Sequence, residues 1–127
     1  MQCFSANCSC PLLEVYYATE TQEYEYQPKI FGYYTKMSQK VNGRNHYISE
    51  DGHYGIWWTK YTWWMIGSAT AIGQNLGYAY IENSNMNSEC LPGPGIIGWN
   101  WVFYSEGKWQ NAGKRLGVRC GHPGKCN

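Results

Sequence analysis

From residue 53 the chain reads His-Tyr-Gly-Ile-Trp-Trp, and a period of two sets Tyr54, Ile56 and Trp58 on one face and Gly55 and Trp57 on the other. Runs of this kind, rich in aromatic and β-branched residues, predict strands over 30–40, 44–49, 53–58, 61–66, 77–81, 99–104 and 115–120, with an additional strand at 12–18. Asn42-Gly43, Asp51-Gly52 and Glu106-Gly107 each separate two such runs. The first two dipeptides suit a type I′ hairpin turn, because Asn, Asp and Gly tolerate positive φ. Helical periodicity is absent over any useful length, and fifteen Gly and five Pro punctuate the chain too often for long helices. The stretch 83–98 is different. Its polar first half and the sequence Leu91-Pro92-Gly93-Pro94-Gly95 predict a long loop, pinned by Cys90 near its centre.

The same alternation makes both faces of the predicted sheet aromatic. Trp57-Trp58 and Trp63-Trp64 each send one ring to either side, and Trp99, Trp101 and Phe103 share a face opposite Asn100, Val102 and Tyr104. One face supplies a core. The other must be covered by a second sheet or a terminal segment, serve as a platform for sugar rings or a partner, or form a subunit contact. Coverage is the ordinary outcome. As a binding surface, the candidates are Trp57, Trp64, Trp99, Trp101 and Trp109.

Composition sharpens this picture. The 127 residues suffice for one domain, and 17% of them are aromatic while only 15% are charged, which excludes disorder. A net charge of +1 without a basic stripe argues against nucleic acid as a partner. Charge is nevertheless uneven. Glu14, Glu20, Glu23 and Glu25 make the early part acidic, and Lys108, Lys114, Arg115, Arg119 and Lys125 make the late part basic. The simplest account is that the two ends lie side by side and neutralise one another. No apolar run reaches the ~20 residues of a membrane span. Met1-Gln2-Cys3-Phe4 has neither the basic nor the apolar region of a leader.

Six cysteines, Cys3, Cys8, Cys10, Cys90, Cys120 and Cys126, predict a disulfide framework and a secreted, extracellular location. Cys120 falls on the same side of its predicted strand as Leu116 and Val118, and a bond to Cys90 would anchor the Gly/Pro loop. On a chain-entropy account that bond contributes about 3–4 kcal/mol. The other four would tie the termini together. Cys3, Cys8, Cys10, Cys120, His122 and Cys126 have the ligand types for zinc, but not the usual knuckle spacings, so no metal or other cofactor is expected. Asn7-Cys8-Ser9 is a formal glycosylation sequon.

The order Tyr33-Tyr34, Val41-Asn42-Gly43-Arg44, Tyr47, Tyr54, Trp57-Trp58, Trp64-Met65-Ile66-Gly67, Gly77-Tyr78-Ala79-Tyr80, a loop cysteine, Trp101, Trp109 and Leu116-Gly117-Val118-Arg119-Cys120 resembles a Trp/Tyr-rich repeat of secreted and receptor-like proteins of marine invertebrates and some protists. Such repeats run from an NGRPxY start through a WxIG centre to an LxVxC end, and the resemblance covers residues 30 to 120. Asn45 stands where the repeat has Pro, which loosens the exit from that turn. The resemblance implies an extracellular all-β module and no particular activity. It divides the chain into a cysteine-containing segment 1–29, an aromatic-rich β module 30–120 and a cysteine-containing tail 121–127.

Catalytic chemistry finds little to work with. Asp51 is the single Asp and sits in a predicted turn. His46 and His53 would face each other across the hairpin closed at Asp51-Gly52, with Glu50 as the obvious third group. Cross-strand polar pairing explains the same residues without chemistry. Glu50 and Asp51 are too close in sequence to flank a glycosidic bond, and no nucleophile, phosphate-loop or dinucleotide signature appears. The sequence thus predicts an all-β antiparallel meander, curled into a barrel or sandwich and stapled by disulfides. The expected role is non-catalytic: a structural or adhesive module of an extracellular assembly that binds other proteins or copies of itself. A carbohydrate-binding role through surface aromatics is the alternative.

Overall fold

The computed structural model describes residues 11–17, 30–61, 63–82, 101–105, 107–113 and 116–120. Alternating aromatic and aliphatic residues form nine strand segments: β1 (Leu12–Tyr17), β2 (Gly32–Val41), β3 (Arg44–Ser49), β4 (Tyr54–Trp58), β5 (Trp63–Ser68), β6 (Ala79–Glu82), β7 (Trp101–Ser105), β8 (Lys108–Gly113) and β9 (Leu116–Cys120). All neighbours are antiparallel, and the order across the sheet is β8-β7-β6-β5-β4-β3-β2-β1-β9. Each predicted strand has its counterpart: that at 44–49 has the predicted bounds, and the others agree to within two residues wherever both ends are described; β8 was not foreseen.

Topology explains how this sheet closes. Successive antiparallel pairings give β2, β4, β6 and β8 one direction, and β9, antiparallel to β1, shares it. Only residues 114 and 115 separate β8 from β9, so Gly113 and Leu116 lie within about 11 Å. The two segments are therefore successive halves of one broken strand. Its first half pairs with β7 and its second with β1. Counted this way, eight strands make an up-and-down sheet nearly closed into a barrel. β1 belongs to the same sheet, which accordingly begins before residue 30.

The inward face holds Leu13, Val15, Tyr34, Tyr47, Ile56, Trp58, Trp64, Ile66, Ala79, Trp101, Leu116 and Val118 in one cluster. Rings fill an interior that eight strands make just wide enough for side chains. At one end the Arg44 guanidinium lies 4.0 Å from the Trp58 ring centroid and caps the core. Outside, Trp57, Met65 and Ala71 form a second cluster. Its cover is the connection from β5 to β6, which begins with a 3₁₀ turn (Ala69–Ala71) and lies along the outer face as a strap. Trp57 Nε1 donates to the Gln74 carbonyl (2.9 Å), and the Asn42 amide donates to the Trp58 carbonyl at 2.8 Å and the Gly73 carbonyl at 3.4 Å. Coverage of the second aromatic face thus comes from a strap within the chain's middle, rather than from a second sheet.

The turns follow their residues. Asn42 and Gly43 take φ of 53° and 87°, as a type I′ turn requires. The Asp51-Gly52 connection is longer than the expected two-residue turn. Gly52 N–H donates to the Ser49 carbonyl, and the Asp51 carboxylate accepts from the Ser49 hydroxyl and the His53 N–H. An Asp side chain that captures nearby donors in this way supports a wider turn. The pairing of β1 with β9 sets Glu14 opposite Arg119, whose Nε donates to Oε1 at 3.0 Å, so one acidic residue of the early part and one basic residue of the late part lie side by side; Glu20, Glu23, Glu25, Lys114, Arg115 and Lys125 lie outside the described residues. The expected Cys90–Cys120 bond, the terminal cysteines, the zinc alternative, the Asn7 sequon and Trp99 lie outside the described residues or side chains.

Candidate functional site

Three of the five tryptophans proposed from sequence as surface contacts are buried. Trp64 and Trp101 point into the barrel, and Trp57 lies beneath the strap. Trp64 and Trp101 follow from period two once the sheet curls, because their side chains then point into the barrel, whereas Trp57, on the opposite face of β4 from Ile56 and Trp58, is covered from outside. Trp109 is the exception, with 45% of its surface exposed. It belongs to a band that sequence reasoning did not assemble.

The band runs from the turn before β5 across the outer faces of β5, β6, β7 and β8. Tyr61 lies 6.0 Å from Trp63, which stacks on Tyr80 at 4.4 Å with the planes inclined by 20°. Trp109 then meets Tyr80 and Tyr104 edge-on, each at 5.2 Å. Cross-strand register builds it: Met65 faces Tyr80, and Tyr104 faces Trp109. Tyr61 and Tyr104, like Trp109, are exposed. The strap stops short of this region, so part of the aromatic outer face stays open. The sequence signal was present as alternation in β5 and β6, but β8 had to be placed before Trp109 could join it.

A second feature lies at the end of the barrel where β4 begins and β5 ends. Asp51, His53, Tyr54, Ser68 and Tyr78 line a cleft of about 570 Å3. Tyr54 and Ser68 are cross-strand partners, the His53 carbonyl accepts from Ala69 N–H, and Tyr78 N–H donates to the Ile66 carbonyl as the strap returns. The Tyr54 and Tyr78 rings stand 6.0 Å apart at 62°, and His53 lies 6.5 Å from Tyr54. The hydrogen bonds from the Ser49 hydroxyl and the His53 N–H hold the Asp51 carboxyl below the ordinary carboxylate range. A smaller hollow beside it, of about 150 Å3, is lined by Phe31, Gly32, Tyr33, Ser49, Glu50 and Asp51.

The imagined pairing of His46 with His53 does not form. Tyr47 faces Ile56, which places His46 and His53 about four residue steps, or ~13 Å, apart along the hairpin. His46 is buried, and its Nδ1 donates to the Gln39 carbonyl at 2.9 Å, where β2 bulges between Lys36 and Lys40. It serves as the filling of that bulge. Glu50 is exposed beside Asp51, remote from His46. Among the described residues, no cluster of three or more His, Cys, Asp or Glu is placed to hold a metal ion, and no helix is long and apolar enough to cross a membrane.

No family model, curated protein or solved structure matches this chain.

Proposed function

We propose that this protein is a non-catalytic structural or adhesive module of a secreted or surface assembly, and that it makes contact through the ring band of Tyr61, Trp63, Tyr80, Tyr104 and Trp109. The observation that carries the reading is the contrast between covered and open aromatic surface. The strap buries Trp57 and Met65 almost completely, whereas farther along the same outer face Trp63 and Tyr80 are only partly buried and Tyr61, Tyr104 and Trp109 are exposed. Tyr and Trp are the side chains most often found at the energetic centres of protein contacts, because they bury large areas at little entropic cost. Six cysteines and the repeat resemblance support an extracellular setting. The partner to test first is a second copy of the chain, since a patch of aromatic rings can be self-complementary about a two-fold axis.

Sedimentation velocity on the intact, oxidised protein from about 5 to 500 µM tests this, over the range where modest interfaces associate. Association that Trp109→Ala abolishes, with the fold retained by circular dichroism, is the expected result. A chain that stays monomeric throughout overturns the band as a self-contact. A carbohydrate-binding reading is favoured by a different observation, the cleft at the barrel end.

A further inference from the structure

We propose that the cleft formed by Asp51, His53, Tyr54, Ser68 and Tyr78 is a binding site for a neutral pyranose, separate from the ring band. The site goes beyond the adhesive reading and does not depend on it.

Four features point to a sugar. The cleft, about 570 Å3, falls within the size range of small-ligand sites and is open enough for a glycan chain to continue out of it. Tyr54 and Tyr78, in edge-to-face contact at 62° and each partly exposed, line the cleft with aromatic surface for the C–H side of a pyranose, and their hydroxyls can exchange hydrogen bonds with those of the sugar. Asp51 is a carboxylate whose hydrogen bonds from the Ser49 hydroxyl and the His53 N–H both end on Oδ1, and a carboxylate's roughly four lone-pair sites leave capacity to accept from sugar hydroxyls. Its geometry is fixed before any ligand arrives, which lowers the cost of binding. Ser68 and His53 add groups that can donate or accept.

Charge narrows the choice. Among the described lining residues there is no Lys or Arg, which disfavours phosphate, sulfate or sialic acid beside the Asp51 carboxylate. A cationic amine would be drawn by a carboxylate and tyrosine faces, but such cages gain strength from desolvation. Asp51 is exposed, so its pull on a cation is screened by water. Water weakens hydroxyl-to-carboxylate hydrogen bonds as well, but a pyranose can add hydrogen bonds to Ser68, His53 and the tyrosine hydroxyls, which a quaternary ammonium cannot make.

The test titrates the methyl pyranosides of glucose, galactose, mannose and N-acetylglucosamine, and tetramethylammonium as the cation, into the 15N-labelled full chain. The expected result is saturable shifts of the Asp51, His53, Tyr54, Ser68 and Tyr78 amides with at least one pyranoside, at dissociation constants in the millimolar range usual for single weak contacts. Asp51→Asn preserves the turn-forming side-chain oxygen and should weaken that binding about tenfold, the loss of one charge-assisted hydrogen bond. Tyr78→Phe, which keeps the ring, should weaken it less, and Trp109→Ala should leave it unchanged. The proposal is overturned if no pyranoside shifts these amides by 50 mM, if only tetramethylammonium does, or if sugar binding is lost in Trp109→Ala and unaffected by Asp51→Asn.

Discussion

Tyr34 and Tyr47 are large, almost fully buried polar side chains in the barrel core, and each keeps a hydroxyl among hydrocarbon neighbours. The Tyr34 hydroxyl donates to the Ile30 carbonyl at 2.7 Å, which satisfies it. Burial raises the Tyr34 pKa well above its ordinary value and pushes that of Tyr47 up to about 12. Because the folded state resists ionisation of Tyr47 while the unfolded chain ionises near 10, unfolding above pH 10 releases a proton. Its stabilising contribution is therefore complete below pH 10 and lost as pH rises towards 12, a loss of about 2–3 kcal/mol for Tyr47 alone. Denaturant midpoints measured from pH 9 to 12 should fall in that window, and Tyr47→Phe should flatten the fall. Tyrosinate absorbance should show the exposed phenols ionising first.

At the level of elements, the strap between β5 and β6 depends on close backbone approach. A Cβ on Gly77 would sit 2.5 Å from Met65 Sδ and 2.8 Å from the Ile66 carbonyl oxygen, and one on Gly67 would sit 2.8 Å from the Gly77 Cα. These two glycines let the strap lie against β5 at backbone distance. Methionine can yield, but the carbonyl and the opposing backbone cannot, so Gly77→Ala should lift the strap at a cost of about 1–3 kcal/mol, as overpacking usually does. The variant should show faster amide exchange in residues 69–78 and increased accessibility of Trp57 to acrylamide, with Trp64 still protected. Unchanged Trp57 quenching would mean that the strap is held by something other than this contact.

At the scale of the whole molecule, closure rests on one strand that changes partner midway. The β1–β9 half of the seam carries the Glu14–Arg119 ion pair on its outside and Val15, Leu116 and Val118 on its inside. Arg119 also lies 4.1 Å from the Tyr16 ring centroid, and a Cβ on Gly117 would meet that ring at 2.7 Å, so Gly117 is the space into which Tyr16 folds. Both partners of the ion pair keep appreciable exposure, at 43% for Arg119 and 21% for Glu14, and a pair in that setting contributes at most about 1 kcal/mol. Apolar burial holds the seam instead. Glu14→Gln should thus cost less than about 1 kcal/mol, whereas Leu116→Ala should cost about 2–5 kcal/mol in equilibrium denaturation. The reverse order would show that the seam is closed electrostatically.

Strand positions were legible because period-two alternation and glycine turns are local properties, and they survive whatever the rest of the chain does. Asn42-Gly43 dictated its turn through two residues that tolerate positive φ. The charge asymmetry of the ends foretold the Glu14–Arg119 neighbourhood without naming the pair. By contrast, which of two aromatic faces is inside depends on the direction in which the sheet curls, and that is decided by pairing between residues more than a hundred positions apart, as between Glu14 and Arg119. For the same reason sequence could not tell buried Trp57, Trp64 and Trp101 from exposed Trp109, all four being strand residues of one type. Nor could it assemble the cleft, whose Asp51, Ser68 and Tyr78 meet only when β3, β5 and the returning strap arrive at one end of the barrel. Sequence by itself determined an antiparallel β protein with too many aromatic rings for one core; tertiary structure decided which rings became core, which were strapped over and which were left to face water.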